Sequence, residues 1–234
     1  MKILITGAGG FFGSWLIPKL RGHKITQYDI KDGHDIFDAK CLLEKMQGQD
    51  AVVHLAAYPS YRTDIYPQLY TRLNIIGVAK VVEAMLKTGT KKLVYISSGS
   101  VYGFGPERPM EGWVTPPITE EQFPTKEQWK LLDVYSASKL ACEAWLKNIQ
   151  DINTIILRIN CIEPYHEGAK DRGDHWGWWC SQRLAARAIR AALIYDTDYM
   201  IVNVGEKNPN LDTTKLKELL RVLRKQRKDN EDVT

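Results

Sequence analysis

Lys2-Ile-Leu-Ile-Thr-Gly-Ala-Gly-Gly-Phe-Phe-Gly13 governs how the rest of this chain is read. Residues 2–6 form a short apolar run that reads as a strand. A glycine cluster follows at once, and a helical segment then runs to about Arg21. In that position Gly7 can take the tight turn and Gly10 leaves room for a phosphate against the backbone. Gly13 lets the helix pack close to the sheet. The start of the helix offers backbone amides to a pyrophosphate. Phe11 and Phe12 lie within the turn and count with the glycines as candidate cofactor contacts. The competing reading is a structural turn with no ligand, and the downstream sequence decides between the two.

Working outward, KITQYD (24–29) is a second strand that ends in Asp29. A carboxylate there can accept both hydroxyls of an adenosine ribose and repels a 2′-phosphate, so NAD is expected over NADP. Lys31 softens that preference. Asp35 and Ile36 are placed to frame an adenine, with an ordinary loop as the alternative. A helix around 39–47 precedes the strand AVVHLAA (51–57), whose Leu55, Ala56 and Ala57 permit close approach of a cofactor. His54 reads as a packed histidine rather than an acid–base group. A long helix spans 70–86 and carries Asn74. KKLVYISS (91–98) is the next strand, with Ile96 near its end. A helix over 129–149 and the strand TIILRIN (154–160) follow. Strands alternating with helices indicate an α/β fold, a parallel sheet flanked by helices. After Asn160 the rhythm changes to a polar loop with Trp176, Trp178 and Trp179, then a helix over 181–194, a strand over 200–205 and a helix over 212–226. Residues 1–160 read as the cofactor domain. Residues 161–234 read as a small substrate lobe interleaved with it.

Two further motifs carry chemistry. Ser97-Ser98-Gly99-Ser100 follows a strand, and ligands of parallel sheets gather beyond the carboxyl ends of strands. Tyr135-Ser-Ala-Ser-Lys139 puts a phenol and an ammonium one turn apart on one helix face. A phenol has a pKa near ~10, and a neighbouring ammonium favours its ionised form. Ser98 can then donate to a substrate oxygen while Tyr135 gives or takes the proton. Lys139 can hold the nicotinamide ribose and keep the phenol pKa down. Ser98, Ser100, Tyr135 and Asn160 are candidate substrate contacts. Tyr135, Lys139, Asn74 and Ile96 join the candidate cofactor contacts. A serine nucleophile is disfavoured, since no G-x-S-x-G elbow is present.

TGAGGFFG, Asp29, HLAA, LNIIG, ISSGSVYG, YSASK and LRIN stand in the order found in extended short-chain dehydrogenases/reductases. The chain resembles their NAD-dependent epimerase/dehydratase branch over roughly residues 2–160. The resemblance implies a Rossmann-type fold, NAD as cofactor and a sugar or nucleotide-sugar substrate. It implies that Ser98, Tyr135 and Lys139 are the catalytic serine, tyrosine and lysine. Asn74 would match the asparagine that supports the active site, and Gly7, Gly10, Gly13 and Asp29 the cofactor motif. It also implies a homodimer formed through the helices containing 70–86 and 135–149. Epimerisation by transient oxidation and net dehydrogenation remain open, and differ in whether NADH leaves. The acidic pair of 4,6-dehydratases is replaced by Gly99-Ser100-Val101, which disfavours that reaction. LRINCIEP and WWCSQRLAARAIRAAL are similar to the corresponding stretch of uronate dehydrogenases, where Arg172 and Arg183 would be candidates for a substrate carboxylate. Gly99-Ser100 stands where those enzymes carry Asn-His. An NADPH-dependent carbonyl reductase is disfavoured by Asp29. Retention of Tyr135 and Lys139 argues against a non-catalytic NAD-binding scaffold.

Composition bounds the remainder. With 234 residues and 44% hydrophobic content, one sizeable core with a small lobe is within reach. No apolar run reaches membrane-spanning length. The N-terminus begins with a strand rather than a signal peptide, so a cytoplasmic protein is expected. Cys41, Cys142, Cys161 and Cys180 are widely spaced and read as free thiols. Arg221, Arg224, Lys225, Arg227 and Lys228 are followed by DNEDVT, which reads as a solvated helix end rather than a nucleic-acid tail. His166, Glu167, Asp171, Asp174 and His175 crowd one loop without metal-ligand spacing, and no metal is expected. Segment 99–134 reads as a lid or a packed excursion. The tryptophans of 176–179 read as a sugar-stacking face or a packing contact.

Overall fold

The computed structural model describes residues 1–59, 66–103, 116–129, 132–160, 162–163 and 179–231. Six strands form one parallel sheet: β1 (Lys2–Thr6), β2 (Lys24–Tyr28), β3 (Ala51–His54), β4 (Lys92–Ser98), β5 (Asn153–Ile159) and β8 (Tyr199–Val204), in the order β2-β1-β3-β4-β5-β8. Two short strands, β6 (Ile162–Glu163) and β7 (Cys180–Ser181), pair separately. The helices are α1 (Phe11–Leu16), α2 (Ala39–Met46), α3 (Pro67–Tyr70), α4 (Gly77–Thr88), α5 (Lys126–Trp129), α6 (Val134–Leu146), α7 (Gln182–Ile194) and α8 (Thr214–Glu231).

The period of two in the strands builds two cores. Ile3, Ile5, Val53, Val94, Ile155 and Leu157 pack on one face with residues of α1, α7 and α8. Leu4, Val52, Leu93, Tyr95 and Ile156 pack on the other with residues of α2, α4 and α6. Strands buried on both faces must be apolar throughout, which is why they read as continuous hydrophobic runs. The alanines of α7, from Ala185 to Ala192, are buried against the sheet. Their small side chains let the helix backbone approach closely.

Three boundaries differ from expectation, each for a local reason. The helix expected over 70–86 is α3 and α4 joined by a wider π-helical stretch, Thr71–Ile76. The helix expected over 129–149 is α5 and α6. The Asp133 carboxylate accepts from Ser136 N (2.6 Å) and starts α6 afresh at Val134. The division expected at Asn160 is redrawn, because β8 completes the main sheet beside β5 and α7 and α8 cover one face of it. A smaller cluster of Val101, Tyr102, Ile118, Leu140 and Leu211 forms the core of the lobe. There Ile118 N donates to Asn210 O (2.7 Å) and Asp212 N to Ile118 O (3.0 Å). Chain segments on both sides of Asn160 therefore build that lobe. Part of the 99–134 excursion (104–115 and 130–131), Trp176, Trp178, Arg172, Cys161 and the His166–His175 loop lie outside the described residues.

Candidate functional site

The glycine turn joins β1 to α1 at the carboxyl edge of the sheet. Gly7 has φ +70, and a Cβ there would stand 2.7 Å from Ala56 N. At Gly13 a Cβ would meet Gly7 O at 2.4 Å and Ala8 O at 2.6 Å. Both positions exclude any side chain. Close packing of the turn on α1 and on the Leu55–Ala56 backbone follows. Leu55 N donates to Thr6 O (3.1 Å), which pins that backbone beside β1. Gly10 is the N-cap of α1 and carries no capping side chain. Phe11 is exposed and Phe12 packs on Trp15.

Asp29 directly follows β2 and is buried beside this turn. Its carboxylate accepts from Gly9 N (2.9 Å) and Lys31 N (2.9 Å). The Lys31 ammonium donates to Gly9 O (2.6 Å), so lysine and aspartate grip the same glycine. These residues fit a dinucleotide with unphosphorylated ribose, since a cradle without Cβ atoms ends at a fixed carboxylate. Asp35 and Ile36, the residues expected to frame an adenine, follow the turn after β2. The Asp35 side chain accepts from Phe37 N (2.9 Å), and Ile36 is buried in the core near Gly77.

Ser98, Tyr135 and Lys139 come together beyond the carboxyl end of β4. The Lys139 ammonium, on a residue only 3% exposed, donates to Ile96 O (2.8 Å). It stands 4.9 Å from the Tyr95 ring centre and 5.8 Å from that of Tyr135. Burial lowers its pKa to about 8, against the pull of Cys142 and Glu143. The Tyr135 ring meets Tyr70 edge-on, with centres 6.3 Å apart. Burial pushes its pKa up to about 12, while a hydrogen bond from Ser98 draws it down. Sequence reasoning expected the ammonium to hold the phenol low. Instead, desolvation of the phenol dominates and raises its pKa.

Other candidates occupy supporting positions. The Asn74 amide accepts from Tyr58 N (2.9 Å) and donates to Tyr58 O (3.3 Å) and Ser138 Oγ (3.2 Å). It thus fastens the segment after β3 to α6, between Tyr135 and Lys139. Ser100 is buried, and its hydroxyl is engaged with Ser98. Asn160 is buried at the end of β5, and Ala57 is half-buried after β3. His54 Nδ1 pairs with Thr6 Oγ1 (2.7 Å), and burial lowers its pKa to about 3. It is a neutral packed histidine, in line with its reading from sequence. Arg183 lies exposed on α7. Cys41, Cys142 and Cys180 are free thiols.

Sequence reasoning missed a buried polar network directly behind Ser98. Glu143 and Arg158, 1% and 0% exposed at their side chains, form an ion pair at 2.6 Å. Ser97 and Tyr102 bind its two ends. An arginine inside an otherwise apolar strand (TIILRI) was the available signal, because a buried charge needs a partner.

The family model for the NAD dependent epimerase/dehydratase family matches residues 3–193. A UDP-glucose 4-epimerase of Mycolicibacterium smegmatis is 30% identical over 181 residues, which are 65% of this chain and 53% of that protein. The chain spans about half the length of the first curated relatives it matches. Among solved structures, a UDP-glucuronic acid 4-epimerase of Bacillus cereus in complex with NAD superposes with a TM-score of 0.70. It is 23% identical, and the match covers 94% of this chain and 92% of that one. A mutated uronate dehydrogenase also gives 0.70, at 21% identity, covering 96% and 84%. At these identities the structural likeness establishes the shared fold.

Proposed function

The chain belongs to the NAD-dependent epimerase/dehydratase family, and on that premise we propose that it binds NAD and oxidises and reduces a hydroxyl-bearing carbon of a sugar or nucleotide sugar. One observation carries the reading: Ser98, Tyr135 and Lys139 converge beyond β4, on the sheet edge that also bears the glycine cradle. Asp29 takes the adenosine ribose hydroxyls, and the Gly7–Gly13 turn takes the pyrophosphate. NAD, when bound, supplies the hydride acceptor. Ser98 donates a hydrogen bond to the reacting oxygen. Tyr135 exchanges the proton with that oxygen, and its protonated form donates to a developing alkoxide. Lys139 holds the ribose and supplies the positive charge that favours the phenolate when the proton leaves.

Epimerisation is the leading outcome, supported by the named 4-epimerase relatives. The second reading is a free-sugar or uronate dehydrogenase with net NADH release. It is favoured by the sequence likeness of LRINCIEP and WWCSQRLAARAIRAAL to the corresponding stretch of uronate dehydrogenases. A panel of nucleotide sugars, free sugars and uronates, followed for NADH at 340 nm and for product stereochemistry, separates them. NAD binding with no turnover on any member would leave the scaffold reading. For assembly, the support lies in Ile76, Leu86, Val134 and Trp145, large apolar residues exposed on the helical stretch Thr71–Thr88 and on α6. Self-association through these faces gives a homodimer. Sedimentation equilibrium of the wild type and of Trp145→Glu tests it, and a wild-type monomer at micromolar concentration would sink it.

A further inference from the structure

Ser97 on β4, Arg158 on β5 and Asn203 on β8 are successive register partners across the sheet. This polar row lies in the buried interior, and two side chains complete it. Glu143 stands one turn beyond Lys139 on α6. It accepts from Arg158 Nε (3.1 Å) and Nη2 (2.6 Å) and from the Ser97 hydroxyl (2.5 Å). Tyr102 ends the short helical turn Gly99–Tyr102. Its hydroxyl accepts from Arg158 Nη1 (2.5 Å) and lies 2.9 Å from Asn203 Oδ1.

The elements joined in this way are those that carry the reacting groups. Ser97 adjoins Ser98. The Gly99–Tyr102 turn carries Ser100, whose amide and hydroxyl both bind Ser98 Oγ. Helix α6 carries Tyr135 and Lys139. We propose that Glu143, Arg158 and Tyr102 are positioning residues that set where Ser98 stands relative to Tyr135. This inference rests on the function proposed above.

Stability alone is a poor reason for such a pair. Replacing a buried ion pair by apolar residues of similar volume is often neutral or stabilising. Apolar packing does not supply directional bonds that fix one backbone against another. Arg158 reaches β4 and α6 through Glu143, and reaches the turn after Ser98 through Tyr102. It also donates to Glu120 O (3.2 Å), so the segment 116–121 is referenced to the same guanidinium.

The test uses two variants, Tyr102→Phe and the double variant Glu143→Leu/Arg158→Met. Each is measured for melting temperature, NAD affinity, and kcat and KM on the sugar identified by the panel. Wild type and Tyr102→Phe are also crystallised in one form. We expect kcat to fall about tenfold or more, since small misplacements of reacting groups cost that much. KM and NAD affinity should stay within about twofold, and the double variant should melt at or above the wild type. The Gly99–Tyr102 turn should move in Tyr102→Phe and change the Ser98–Tyr135 separation. Unchanged kcat overturns the proposal, as does a kcat that falls only in step with melting temperature or NAD affinity. If the double variant does not fold, the isosteric Tyr102→Phe decides alone. If no sugar turns over in the wild type, the functional reading fails, and an unmoved turn in the Tyr102→Phe crystal still rejects the positioning role separately.

Discussion

Ser100 donates twice to Ser98: its hydroxyl stands 2.9 Å and its amide 3.1 Å from Ser98 Oγ. A serine oxygen has two lone pairs and one proton. With both lone pairs occupied, the Ser98 proton is the group left to face outward, toward Tyr135. Ser100→Ala removes the hydroxyl donor and leaves the amide. The expected outcome is a fall in kcat of roughly fivefold, the worth of about 1 kcal/mol for one neutral hydrogen bond. Steady-state kinetics on the identified substrate measures it, and a tenfold rise in KM with unchanged kcat would assign Ser100 to substrate binding instead.

Tyr135→Phe deletes the hydroxyl to which the proposed function assigns the proton exchange, while its ring keeps the contact with Tyr70. Turnover should fall by at least about 100-fold, within the span of general acid–base contributions. NAD affinity, read by titration calorimetry, should be nearly unchanged. Persisting turnover removes the phenol from the mechanism.

Lys139 gives a pH signature in stability. Its pKa in the folded protein is lowered to about 8 from the usual lysine value of 10.5, chiefly by burial. Folding therefore disfavours its charged form. That penalty is full below pH 8 and is relieved as pH rises toward 10.5, because in that window the unfolded chain binds more protons. Lys139→Met removes the penalty, up to about 3 kcal/mol, and strands the Ile96 carbonyl at a cost of about 1–3 kcal/mol. The two nearly cancel at pH 7, so the slope is the better readout. The variant should lose ground against the wild type as pH rises from 8 to 10. Parallel melting curves across that range would contradict the burial account.

Gly13→Ala forces a Cβ to within 2.4 Å of Gly7 O, and backbone cannot give way cheaply. A loss of about 1–3 kcal/mol in stability is expected from such overpacking. The cradle should distort with it, so NAD affinity should fall along with urea-unfolding stability. Wild-type values for both would mean that α1 does not pack as described.

Asp29→Ser removes a carboxylate that repels a 2′-phosphate, while Lys31 remains to attract one. The ratio of NADP to NAD affinity should rise at least about tenfold. An unchanged ratio would show that the Asp29 carboxylate does not set cofactor choice.

The reading from sequence succeeded where a rule of local geometry ties residue type to position. A glycine at φ +70 after β1, an aspartate directly after β2, and a tyrosine and lysine one turn apart are short-range patterns. Strand alternation and helix spacing likewise follow from backbone periodicity, so the parallel sheet and the Ser98, Tyr135 and Lys139 positions were legible from the chain alone. What tertiary structure decided is long-range and electrostatic. Nothing local to Arg158 says that Glu143 and Tyr102 will meet it, or that β8 will join the main sheet beside β5. The pKa values of Tyr135 and Lys139 depend on how much water the assembled fold removes, which no four-residue spacing contains. The sequence alone set Ser98 at the end of a strand and Tyr135 and Lys139 on one helix face; the packed interior decided how burial shifts the two pKa values and what keeps the groups in place.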